Sequence, residues 1–232
     1  SVVSAGGITQ FEALFTVLFV INFTWIALAA ASAMAGLLVR PRDLPAAIVP
    51  RLTTRTALVM PVYHENVATT AAALEVMARG IAALCQAHAF EIVVLSDSTS
   101  ADSWVAETHA VDELRRAVGT TMPVWYRRRW KNTAKKAGNI RDFVEHWGAR
   151  YDHLVVLDAD SLVAPETLVA LAARMEHDRG LALLQTAPAL AGGETLFARL
   201  QQFANRIYGP IVSHGLAAWA GSENNYWGHN AI

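Results

Sequence analysis

Apolar and polar positions follow two regimes along the chain. From Ala13 to Val39 no charged residue interrupts 27 positions, which Glu12 and Arg40 bound. As a helix this stretch would be about 40 Å long, more than the roughly 30 Å hydrocarbon core of a bilayer requires. The pattern predicts a membrane span that is tilted or has one end standing in the headgroups. A secretory signal fits less well, because residues 1–12 carry no Lys or Arg. Beyond residue 55 the rhythm changes. Short apolar runs at 56–63, 91–96, 124–127, 153–158 and 181–186 alternate with helical patterns at 67–88, 103–117, 137–148 and 165–178. In the first helix Val67, Ala71, Leu74, Ala78, Ile81 and Cys85 recur at three- and four-residue spacing and predict one buried face. Near-continuous apolar strands alternating with helices predict an α/β domain, a mainly parallel Rossmann-like sheet covered on both faces.

Between the two regimes, residues 40–54 contain Pro41, Pro45 and Pro50 and read as a semi-rigid connector. The expected division is therefore a flank at 1–12, a transmembrane helix at 13–39, a linker at 40–54 and one α/β domain from 55 to 232. Arg40, Arg42, Arg51 and Arg55 follow the apolar stretch, so the positive-inside rule places that domain in the cytoplasm. The chain starts at Ser1 and stops directly after a motif-like stretch, and we expect a fragment of a longer protein. Composition narrows the partners. The hydrophobic share of 53% against 17% charged residues suits a lipid bilayer, and the net charge of -1 offers no field for nucleic acid. Cys85 is the single cysteine, which excludes an internal disulfide, and it is expected on the apolar side of its helix.

Open α/β sheets bind ligands at the carboxyl ends of their strands. The first run ends in Pro61-Val62-Tyr63-His64-Glu65-Asn66, the second in Ser96-Asp97-Ser98 and the fourth in Asp158-Ala159-Asp160-Ser161. Each acid could simply cap the next helix, and for Asp97 alone that reading is as good as a functional one. Three acidic strand ends on one sheet favour a site. Asp158 and Asp160 are two apart, so on an extended strand both carboxylates face one side while Ala159 packs away. Two carboxylates plus substrate phosphates are the usual ligand set of Mg²⁺, and Mn²⁺ shares the preference for oxygen.

Six cationic side chains lie within ten residues, Arg127, Arg128, Arg129, Lys131, Lys135 and Lys136, ahead of a helix opening at Ala137-Gly138-Asn139. Most of this tract is expected to be a solvated surface near anionic lipid, with Lys136 the substrate candidate. The last segment mixes aromatics and amides, among them Trp227, His229 and Asn230, which suits sugar hydroxyls and ring faces. Helical residues 195–208 also suit a membrane interface, and both readings stay open.

Together the segments TALVMPVYHEN (56–66), VVLSDS (93–98), WVAE (104–107), YRRR (126–129), KKAGNI (135–140), YDHLVVLDADS (151–161), LLQTAP (183–188), LFARLQQFANRIYGP (196–210) and NYWGHNAI (225–232) resemble the family-2 glycosyltransferases of GT-A fold. Within them they resemble the inner-membrane synthases of osmoregulated periplasmic glucans. The resemblance implies an inverting, metal-dependent glucosyltransferase that passes glucose from UDP-glucose to a glucan acceptor. It implies that Tyr63 and Glu65 line the nucleotide pocket, Asp97 contacts the uracil and Lys136 lies by the diphosphate. Asp158 and Asp160 would hold nucleotide and divalent metal (Mg²⁺ or Mn²⁺). From their residue types alone, Trp227, His229 and Asn230 are the candidates for the acceptor side, with a structural role the competing reading for His229. The catalytic base is expected beyond Ile232, and His64 stands where relatives commonly have Asn. A cellulose-, chitin- or hyaluronan-type synthase and a non-catalytic sensor of UDP-sugar are the alternative readings.

Overall fold

The computed structural model describes residues 8–38, 51–220 and 230–232. Contacts divide the chain into two units, one of Ser1–Leu44 with Ala187–Asn225 and one of Pro45–Thr186 with Tyr226–Ile232. The described residues 187–220 thus group with the N-terminal helix rather than with the sheet.

The second unit holds four parallel strands, β1 (Thr56–Val62), β2 (Phe90–Ser96), β3 (Val124–Arg128) and β4 (His153–Val156), in the order β3-β2-β1-β4. Strand alternation sorts their side chains onto two faces. Leu58, Met60, Ile92, Val94 and Val155 join the larger core with residues of α2 (Val67–Ala83), α3 (Ala101–Val118) and α5 (Pro165–His177). Ala57, Val59, Val93 and Leu95 pack on Phe143 of α4 (Lys135–Trp147). Local chemistry starts these helices where the periodicity predicts. The Asn66 side chain accepts from Thr69 N and caps α2, Ser100 accepts from Ser103 N and caps α3, and Pro165 opens α5. Residues 51–54, read as connector, are docked here. Leu52 is buried, and Glu176 of α5 accepts from the backbone and hydroxyls of Thr53 and Thr54.

The strand order reverses at β1, because the chain builds β1, β2 and β3 outward and then returns to lay β4 on the free side of β1. Such a reversal opens a crevice at the carboxyl ends of the two strands.

Three expectations are corrected. The run 181–186 is not a strand of the sheet. Gln185 and Val156 both bridge antiparallel to Ala231, and Leu184 exchanges backbone bonds with Ile232 in both directions at 2.9 Å. An apolar run cannot reveal that the partner of Gln185 lies 46 residues downstream, at Ala231. Cys85 is exposed, because α2 ends at Ala83 and the cysteine adopts a left-handed φ of 58° beyond the helix. Asp158 and Asp160 lie past the end of β4, in a turn closed by Ser161 N donating to Asp158 O at 3.0 Å, so strand alternation does not orient them.

The first unit holds α1 (Gln10–Leu38) and α6 (Leu196–Ala220). Among the described residues α1 is the one helix long and apolar enough to cross a membrane. It packs against α6 where small residues remove the Cβ barrier. A Cβ on Gly36 would lie 1.8 Å from Ile211 O, and one on Gly215 would lie 1.7 Å from Ser32 O. Trp219 Nε1 donates to Ser32 Oγ across the same contact at 3.2 Å.

Candidate functional site

A cavity of about 600 Å³ opens at the crevice between the ends of β1 and β4. Tyr63 and Glu65 from the β1 end line it with Asp97 from the β2 end, Lys136 and Asn139 from α4, and Asp158 and Asp160 from the turn after β4. The six residues singled out for the nucleotide and metal therefore share one wall system. A larger depression of about 980 Å³ lies between α2 and α3, but no strand end reaches it. Convergence of polar groups at the switch point outweighs volume in choosing between them.

Each polar group is positioned by identifiable partners. Asp97 is 4% exposed and does not cap α3, since Ser100 does. Its two oxygens accept from Arg129 Nε and Nη2, both at 2.8 Å, a bidentate pair. Arg129 also donates to the carbonyls of Thr133 and Lys135 and so ties the β3 end to the start of α4. Lys136 pairs with Asp158, which sets a cation and one metal-candidate carboxylate side by side. Asp160 is exposed and Asp158 half-buried. Asn139, 1% exposed, donates to Leu95 O at 3.0 Å and orients α4 on the sheet.

Arg128, Lys131 and Lys135 of the basic tract are exposed as charge density suggests, but Arg127 and Arg129 are not, which corrects the expectation for those two. Arg127 pairs with Asp142 and donates to Asn139, and its pKa is held below the ordinary arginine value by burial, with Asp142 pulling the other way. Arg129 is enclosed at 12% side-chain exposure, and Arg128 lies 4.0 Å over the Trp104 ring. Arg127 and Arg129 lie two apart, and the tract begins inside a strand, so the fold takes these two inward. Residue count alone cannot show that.

Around the turn at β1, His64 adopts a left-handed φ of 55°. Its Nδ1 is 3.0 Å from Ser103 Oγ and its Nε2 is 3.0 Å from Thr99 Oγ1. Thr99 N donates to Nε2, which leaves the ring proton on Nδ1. Histidine and asparagine are both enriched at such φ, which gives a backbone reason for either residue here. Tyr63 meets the His64 ring edge-on at 4.6 Å and stays half exposed.

Asn230 is 7% exposed with φ 39°, donates to Ser161 Oγ at 3.0 Å and accepts from Thr186. It braces the turn that carries Asp158 and Asp160. Trp227 and His229 lie outside the described residues. Asn132, Lys135 and Asn139 line the cavity without having been singled out, and Arg129 was missed as the partner of Asp97. The run Lys135-Lys136-Ala137-Gly138-Asn139 contained the signal for two of them. Among the described residues no three His, Cys, Asp or Glu side chains gather as a metal site. The pair Asp158 and Asp160 fits a cation that takes its other ligands from phosphate and water.

The chain is 50% identical over 228 residues to the glucans biosynthesis glucosyltransferase H of Vibrio cholerae, covering 98% of this chain and 32% of that protein. It is 48% identical over 237 residues to the protein of the same name from Shewanella baltica, covering all of this chain and 32% of that protein. The chain thus spans about a third of the length of these relatives. A solved structure, the mannosyltransferase PcManGT from Pyrobaculum calidifontis in complex with GDP-Man and Mn²⁺, is similar at 22% identity and TM-score 0.46, over 69% of this chain and 45% of that one. The profile of glycosyl transferase family 2 matches residues 57–232, three quarters of the sequence and all four strands, and the chain belongs to that family.

Proposed function

We propose that this chain is the donor-binding part of a membrane-bound, inverting glucosyltransferase that uses UDP-glucose to build a periplasmic β-glucan backbone. The observation that carries the reading is the convergence of Tyr63, Glu65, Asp97, Lys136, Asp158 and Asp160 on one cavity at the switch point of a family-2 domain. Glucose as the sugar follows from the names of relatives at about half identity, and UDP as the nucleotide rests on the family resemblance of the motifs.

In this reading the base-binding side is the wall formed by Tyr63 and Asp97, and the diphosphate side is the wall formed by Lys136, Asp158 and Asp160. A divalent cation held by Asp158 and Asp160 supplies charge neutralisation for the diphosphate leaving group. Lys136 adds a fixed positive charge on the same side, where negative charge grows as the glycosidic bond breaks. Its present partner Asp158 keeps that ammonium at the cavity wall. The acceptor hydroxyl is deprotonated by a carboxylate that we place beyond Ile232. α1 anchors the chain in the bacterial inner membrane, and the arginines that follow it keep the sheet in the cytoplasm. The domain boundaries proposed are the span at 13–39 and the glycosyltransferase domain from 55 onward.

Calorimetric titration of the detergent-solubilised chain with UDP-glucose, with and without Mn²⁺, tests the reading. Binding is expected to require the metal and to be lost in Asp160→Asn. Equal, metal-independent binding by Asp160→Asn would overturn the assignment.

A further inference from the structure

The segment Trp104–Glu107 of α3 does not line the cavity, yet it holds a buried acid. Glu107 is 2% exposed, and its oxygens are met by hydroxyls. Ser98 Oγ donates to Oε1, and Tyr126 OH donates to Oε2 at 2.9 Å. Burial, and then this bond to Glu107, push the Tyr126 phenol up to about 12. Trp104 Nε1 donates to Ser98 O at 2.5 Å, so one helix grips the Ser98 residue at both its backbone and its side chain.

The bonds have a direction. A carboxylate has no proton to give, so the single Ser98 hydroxyl proton points to Glu107 and the Ser98 oxygen is left to accept. What it accepts is the backbone N–H of His64, at 2.9 Å. His64 is the residue with the left-handed φ of 55°, a conformation that persists in a side-chain-bearing residue only where its surroundings over-determine it. Tyr63 precedes it and Asp97 precedes Ser98, and both stand on the cavity wall.

We propose that Glu107 is a positioning residue. Acting through Ser98, it locks the His64 turn and so sets Tyr63 and Asp97 on the base-binding side of the cavity without itself touching the ligand. The proposal rests on the nucleotide-sugar reading, and it separates the two sides of the site. Loss of the strut should disturb recognition of the nucleoside and spare the diphosphate side, which is built from α4 and the turn after β4.

The test compares Ser98→Ala, Glu107→Gln and their double variant with Tyr126→Phe, which leaves the Ser98–Glu107 bond in place. Each is titrated with UDP and with inorganic pyrophosphate in the presence of Mn²⁺. Ser98→Ala and Glu107→Gln should each weaken UDP by about tenfold, the scale of one charge-assisted hydrogen bond, with the double variant no worse than either single one. Pyrophosphate binding should stay within about twofold, the additivity error between independent sites, as should UDP binding to Tyr126→Phe. Amide hydrogen exchange of residues 63–66 should quicken in Ser98→Ala and Glu107→Gln alone. Unchanged UDP binding, equal weakening of both probes, or unchanged exchange at 63–66 would overturn the proposal. Failure of the unmodified chain to bind UDP would instead remove the nucleotide reading, and the exchange data would still decide whether the strut holds the turn.

Discussion

Asp97 and Arg129 form an ion pair with side chains only 4% and 12% exposed. Removing one partner of such a pair leaves a buried charge without compensation, at about 3 kcal/mol. Arg129→Met should therefore lower the urea unfolding midpoint even without nucleotide, whereas Asp160→Asn at an exposed position should shift stability by under about 0.5 kcal/mol. Equal midpoints for the two variants would show that the pair is not structural. Gly138 makes a second residue-level case. A Cβ there would lie 2.0 Å from Thr133 O and 2.9 Å from Ala134 Cβ, so Gly138→Ala must push the loop away from the first turn of α4. The expected result is a lower melting temperature with weaker pyrophosphate binding, because Lys136 sits on that turn. At this scale the acids at the strand ends were legible, since residue type and strand position suffice to locate them. The partner of Asp97 was not, because 32 residues of chain separate it from Arg129.

α5 and the segment before β1 are joined by Glu176, which accepts from the backbone and hydroxyls of both Thr53 and Thr54. Burial pushes the Glu176 carboxyl up, but the bonds from Thr53 and then Thr54 prevail and hold it at about 2, against an ordinary value of 4.5. A folded-state value below the unfolded one means that this stabilisation is complete above pH 4.5 and disappears as pH falls through about 2. Urea midpoints should thus show the unmodified chain losing its advantage over Glu176→Gln within that window; a constant difference down to pH 2 would refute the coupling. In the other unit, the contact of α1 with α6 depends on the missing Cβ atoms of Gly36 and Gly215. Gly215→Leu should therefore lower the melting temperature of the detergent-solubilised chain, and an unchanged value would refute the close contact. The helices were legible from periodicity and caps to within a few residues, but α6 runs on to Ala220 through Pro210, well past the amphipathic pattern at 195–208. Tertiary contact with α1 supplies what the local pattern lacks there.

For the whole molecule, a 29-residue apolar helix with none of its most apolar window buried implies that the chain stays with membranes during alkaline carbonate extraction. Release into the supernatant would contradict the anchor. The parallel α/β architecture was readable because buried strands must be apolar throughout and helices must present one apolar face, and both rules act within a few residues. Those same local rules determined the long apolar helix, the caps and the acidic strand ends. Strand order obeys no such rule. Only the fold put β4 beside β1, opened the crevice there and brought Glu65 and Asp160, acids 95 residues apart, to one cavity. Likewise only the fold turned Arg127 and Arg129 inward and gave 184–186 its partner at 230–232. Pairing at long range is chosen by the free energy of the assembled core, which no short stretch of sequence contains.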